Sequence, residues 1–362
     1  MISKVQRNLR VILAIVGKDI VDAIKNKSIF SQILTVIFII VLYRLLPSFE
    51  TGNELPRLVL YDAGSSQMVA DLENSMVLDL VETPSQAAME AFVEDQDVVV
   101  LGLVLPPEMD EEINAGGAIQ IEGYAVHWAS EKEIAETTNL VETEIEKLTG
   151  RSIQIHADGN IVYSIPDSRG LSFLVSLSVV LVLVIAGTFI VPILVLEEKQ
   201  NKTLDALLVS PASPSLVVLG KALSGSFYCA IAVAAALILN HTLITHWGVA
   251  VLATLCGVLF AVGVGLLLGS IFEVKQQLTI WGFVLINFLG IPLFLRMMTD
   301  ILPAGLMTII NIIPTVALSK IFQVSFSNRA TLDIFGPDLA VVLMGTVILY
   351  TVVVWVVRRS DR

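Results

Sequence analysis

Residues 171–196 read LSFLVSLSVVLVLVIAGTFIVPILVL, without one aspartate, glutamate, lysine, arginine or histidine. A helix of that length rises ~39 Å at 1.5 Å per residue, more than the roughly 30 Å of hydrocarbon in a bilayer. Lipid offers backbone amides no partner, so the stretch must close its own hydrogen bonds as a helix. Its excess length demands tilt or projection beyond the membrane. Pro192 is placed to kink it near its end. This run marks an integral membrane protein and supplies a ruler for the rest of the chain.

Laid outward, the ruler finds five further spans, at about 29–46, 222–240, 247–272, 278–295 and 339–357. Arg44 can snorkel at the end of the first, and Arg358 and Arg359 close the last. Composition agrees: 55% of the 362 residues are hydrophobic and 15% charged, against about 25% charged in soluble domains. The expected fold class is an α-helical polytopic membrane protein of six transmembrane helices with an inserted α/β extracytoplasmic domain at 47–170. Residues 297–337 do not fit a seventh span. Their apolar part, 301–313, is bracketed by Pro303 and Pro314 and contains Asn311. A re-entrant or surface-lying segment suits it better, because a full span would invert the carboxyl terminus.

The amino-terminal 28 residues project as an amphipathic helix, with Lys4, Arg7, Lys18, Asp22 and Lys25 opposite Val5, Leu9, Ile12, Val16 and Ile20. Such a helix is suited to the headgroup plane. Its charged region is too long for a signal peptide, and no small-x-small site follows. The positive-inside rule places it and Arg358–Arg359 on the cytoplasmic side, with Lys199, Lys202 and Lys275. Both termini then face the cytoplasm of a multi-pass plasma-membrane protein.

The net charge of −12 hides two opposite parts. Residues 50–170 hold 24 acidic and five basic side chains, leaving +7 for the remainder. Within that acidic stretch, 58–61 and 98–105 read as buried strands, and Ile119, Ile121, Ile153 and Ile155 alternate at strand period. Thr83 with Gln86, and Ser130 with Glu133, have the spacing of capping boxes that open helices. About 120 residues suffice for an independent core. His127 and His156 show no metal-ligand spacing and read as surface histidines. Cys229 and Cys256 fall in apolar spans, so neither a disulfide framework nor a zinc site can be built.

After the long apolar run comes EEKQNKTLDALLVSP, residues 197–211. It reads as a short amphipathic helix: Leu204, Leu207 and Leu208 share a face, Thr203 can cap it, and Ser210–Pro211 stops it. A force on this segment, 197–214 with its exit, enters two spans at once. The pattern Glu197…Thr203-Leu204-x-x-Leu207-Leu208-x-Ser210-Pro211, followed by Gly220-Lys221 at the next span, resembles the ABC type-two transporter permease family. So does the layout: amphipathic helix, one span, large domain, five spans. Lys202 departs from the glycine usual before the threonine, and Asn311-Ile-Ile-Pro314 follows the family's outer pattern only loosely.

The resemblance implies an ATP-driven exporter whose coupling helix docks on a separate ABC ATP-binding subunit. Glu197, Glu198, Lys199, Thr203, Leu204, Leu207, Leu208, Ser210 and Pro211 would form that contact; the plainer alternative is a solvated connecting helix. It also implies a second copy or paralogue of the permease, with ATP and Mg bound by the partner ATPase, no cofactor on this chain, and no nucleic acid. In keeping with this, no G-x-x-x-x-G-K-[ST] phosphate loop occurs. Gly257, Ala261, Gly265 and Gly269 line one helix face, which suits either a subunit interface or packing within the bundle. Asn287 is the main mid-span polar group, fit for a helix–helix hydrogen bond or a contact on the translocation path. Lys221, Glu273 and Arg296 fall at span ends, leaving no mid-membrane ionisable group for a proton relay. No constellation suggests catalysis. Alternative functions are a receptor signalling through its inserted domain, and a lipid- or envelope-remodelling ABC subunit.

Overall fold

The computed structural model describes residues 2–25, 57–64, 66–73, 78–111, 119–150, 152–200, 214–298 and 301–360, with 31, 34, 38, 41 and 42 besides. Most of the expected span at 29–46 and most of the 197–214 segment lie outside the described residues. Helix α1 (Ile2–Lys25) leads into an α/β unit: β1 (Arg57–Asp62), α2 (Gln67–Glu73), β2 (Asp79–Glu82), α3 (Gln86–Glu94), β3 (Leu101–Leu105), β4 (Ile119–Val126), α4 (Glu131–Thr149) and β5 (Ile153–Val162).

The five strands lie in the order β2-β1-β3-β4-β5, parallel except where β3 meets β4. Strand alternation sends Leu58 and Leu60 to one face, where α2 and α4 cover them with Leu72, Val141 and Ile145. Val59 points to the other face, against Met89 and Val93 of α3. The capping box of α4 is complete, and Gly150 ends that helix with φ 66°, a left-handed conformation glycine adopts without steric cost. Helix α3 corrects the expected cap. Ser85, not Thr83, accepts from the Ala88 amide, because the Thr83 hydroxyl is already committed to the Leu60 carbonyl at 3.0 Å. The short edge strand β2, DLVE, carries no strand period and is pinned by Arg57 to Asp79 at 2.8 Å.

The second part is helical: α5 (Leu171–Ile185), a π turn at Ala186–Ile190, α6 (Val191–Gln200), α7 (Pro214–Leu239), α8 (Trp247–Ile271), α9 (Lys275–Leu295), α10 (Ala304–Asn311), α11 (Pro314–Phe326) and α12 (Leu332–Ser360). Five helical stretches among the described residues are long and apolar enough to cross a membrane; the pair α10–α11, bent by 83°, makes up to six. The run Leu171–Leu196 is the most enclosed, with 83% of its most apolar window buried, against 11% for α12. It is therefore the axis of the bundle. Pro192 has no amide to continue the ladder, and just before it the Val191 amide donates five residues back, to Ala186. The perturbation expected at Pro192 thus takes the form of a π turn.

The 83° bend has an equally local cause. Pro314 opens α11, and a residue preceding proline is driven from helical backbone; Ile313 is extended at φ −75°, ψ 126°. Helix α12 begins at Leu332 and takes in Pro337 near its start, so the last helix is longer than the 339–357 read from apolarity alone. A side-chain β-carbon added at Gly345 would sit 2.6 Å from the Pro314 ring, showing how closely α12 passes the bend.

Candidate functional site

The leucine-faced residues Thr203, Leu204, Leu207, Leu208, Ser210 and Pro211 lie outside the described residues, as do the side chains of Glu197, Glu198 and Lys199; the backbone of those three continues α6. What is visible is how the helix beyond this segment is held. Gly220 lets α1 approach α7 until an added β-carbon would meet Ile15 at 2.8 Å. Lys221, 5% exposed, binds Asp19 of α1 at 2.6 Å, and the Ser224 hydroxyl donates to the other oxygen of the same carboxylate at 2.8 Å. Tyr228 adds its hydroxyl to the Asp19 and Ile20 carbonyls. Read from sequence, Lys221 is an interfacial cation; here it belongs to a dry ion pair joining the amphipathic helix to the span. A signal was present. Asp19 lies seven residues after Ile12, hence on the apolar face, where an isolated carboxylate needs a partner.

The small residues of α8 face the enclosed run of their own chain. An added β-carbon at Gly257 would strike Leu183, and one at Gly265 would lie 2.4 Å from the Gly187 carbonyl; at Gly269 it would meet Val195 at 2.9 Å. Ala261 presents its carbonyl 2.4 Å from a β-carbon built on Gly187. The stripe is the bed in which the π turn lies. Asn287, in contrast, donates back to the Phe283 carbonyl of its own helix at 2.8 Å and is exposed on α9 among the described residues. Among the described residues Asn287 forms no interhelical hydrogen bond.

At the opposite end of the bundle is a second polar joint. Arg296, just past α9 and 6% exposed, binds Asp167 at 2.5 Å, Ser319 at 3.1 Å and Gln323 at 3.2 Å, with its guanidinium over the Phe173 ring. Gln323 also donates to the Ser168 carbonyl at 2.9 Å. The α/β unit is fastened here too. His127 stacks on Tyr163 and meets the Leu243 carbonyl in the turn between α7 and α8 at 3.0 Å, so it is a joint residue and not the surface histidine its spacing suggested. His156 is exposed. Burial holds His127 below the ordinary histidine range. Glu94, buried at the end of α3, accepts from the Ile165 amide at 2.8 Å, and burial pushes its carboxyl up to about 6.

Long apolar helices, one bent pair and two buried polar joints define a polytopic helical membrane protein. The sequence profile of the family described as ABC-2 family transporter protein matches residues 27–356, and the chain belongs to that family. Comparison with curated proteins gives no match. Membership supports a multi-pass membrane protein that is a permease subunit of an ABC transporter; subunits of this family are generally non-catalytic, and the family implies partnership with an ABC ATP-binding subunit.

Proposed function

We propose that this permease moves its substrate outward, driven by a separate ATP-binding subunit that pushes on residues 197–214. The observation that carries the reading is mechanical. The helix entering the segment, α6, continues the most enclosed helix of the bundle, and the helix leaving it, α7, is pinned to α1 by Asp19 and Lys221. A push at that point is delivered to the core and to the amphipathic helix together. Nucleotide and Mg belong to the partner chain, and this chain holds neither.

The α/β unit lies on the extracytoplasmic side in this reading, both chain ends face the cytoplasm of the plasma membrane, and α10–α11 is an outer re-entrant pair. A second copy or a paralogue completes the transporter. Its place is the face of α9 that carries Asn287, exposed among the described residues. The test is co-purification with a candidate ATPase, comparing wild type with the Leu207→Asp/Leu208→Asp double variant. Loss of binding and of ATPase stimulation is expected; a double variant that binds and stimulates as well as wild type removes the coupling role.

A further inference from the structure

The eight residues that join β5 to α5, 163–170, form a strap gripped from two sides. From the α/β unit, Glu94 accepts the Ile165 amide at 2.8 Å, Asp95 accepts the Arg169 amide at 2.6 Å, and the Gln96 carbonyl accepts the Leu171 amide at 3.2 Å. From the helices, Gln323 holds the Ser168 carbonyl and Arg296 holds Asp167. The two members of that last pair are unlike. Arg296 is 5% exposed at its side chain and built into the bundle, whereas Asp167 is 62% exposed. Asp167 is also the one non-glycine residue with positive φ among those described, at 79°, a conformation L side chains rarely adopt. A strained, water-reachable carboxylate therefore neutralises a buried cation.

Such a pair can open from the strap side without dismantling the bundle, but at a cost, since an uncompensated buried guanidinium is strongly unfavourable. Lys320 of α11 lies 3.9 Å from the same Asp167 carboxylate, so the strap residue faces cations from two elements of the bundle.

We propose that Arg296 and Asp167 form a latch holding the strap of the α/β unit onto the spans, released from the strap side when this end of the bundle opens. The purpose of the latch rests on the permease reading, but its chemistry requires no nucleotide. The test uses the full chain in lipid nanodiscs, with Cys229 and Cys256 replaced by alanine and spin labels at Ile165→Cys on the strap and Ile309→Cys on α10, both exposed sites. Electron–electron double resonance is expected to give one distance for the otherwise wild-type chain and a second, longer component for Asp167→Asn. An unchanged distribution in Asp167→Asn overturns the latch. Should Asp167→Asn not fold, the reversal Asp167→Arg/Arg296→Asp decides: wild-type distance supports the pair, and loss of fold there as well overturns it. No ATPase is in the sample, so failure of the permease reading would show in co-purification and leave this result standing.

Discussion

Replacing Lys221 with methionine removes the ammonium and leaves Asp19, 5% exposed, with the Ser224 hydroxyl donating to its carboxylate but no cation beside it among the described residues. Breaking a buried pair by deleting one member costs about 3–5 kcal/mol. The cost falls on the docking of α1 against α7, because the pair joins those two helices. At 1.4 kcal/mol per factor of ten, amides of α1 should exchange with solvent about 10²- to 4 × 10³-fold faster, while amides of the α/β sheet keep their rates. The cause is separable from simple loss of packing. In Asp19→Leu/Lys221→Met no charge is stranded, Ile12 and Ile15 keep their seats against the span, and protection of α1 should return to within about tenfold of wild type. Hydrogen exchange followed by mass spectrometry in nanodiscs reads all three proteins. Unchanged α1 exchange in the single variant, or a double variant as loose as the single, would refute the reasoning.

Where α8 meets the π turn and α6, Gly265→Ala places a β-carbon 2.4 Å from the Gly187 carbonyl and against Val191, which should cost about 1–3 kcal/mol or more; Gly248→Ala, in the same helix with open space around it, should leave the melting temperature in detergent unchanged. Glu94 and His127, at the joint between the α/β unit and the helices, act in opposite directions. Burial raises the Glu94 carboxyl from 4.5 to about 6, so its contribution is complete below pH 4.5 and is lost as pH rises through 6, a change of about 2 kcal/mol at most. His127 is lowered by burial, so its contribution is complete above its ordinary 6.5 and is lost as pH falls. Thermal melts across pH 4.5–6.5 should therefore slope upward with pH for Glu94→Gln relative to wild type, and downward for His127→Gln.

Apolarity alone made the helices legible. Uninterrupted runs of about 20 residues have one structural solution in lipid, and the run Leu171–Leu196 coincides with its helical stretch. Polar joints were harder to read because burial is a tertiary property. Lys221 and Arg296 sit near span ends, where water would solvate them if no neighbour covered them; α1 covers one, and the strap with α11 covers the other. Asp19 left a trace as a carboxylate on an apolar helix face, but Asp167 left none, since nothing in IPDSRG marks a bond to a residue 129 positions away. The cap of α3 went astray for a related reason. Thr83 has the spacing of a capping residue, and only strand β1 beside it reveals a competing acceptor for its hydroxyl.

The two joints do not owe their presence to stability. A buried ion pair replaced by apolar groups of similar volume is often as stable or more so, and an apolar bundle has many near-equivalent ways to slide one helix past another. What a paired charge adds is register: Lys221 meets Asp19 in one placement of α1 on α7, and Arg296 meets Asp167 in one placement of the strap over the end of α9. Between the joints the packing is mostly apolar and, along α8, includes glycines and an alanine with no room toward the Leu171–Leu196 run. The enclosed run from Leu171 to Leu196 departs from α-helical geometry at the π turn beside Pro192, in that bed. Rigid contact in the middle and single-register pairs at the ends mean that a displacement at one end cannot be absorbed by diffuse slippage. It must be taken up at the π turn or passed to the far joint.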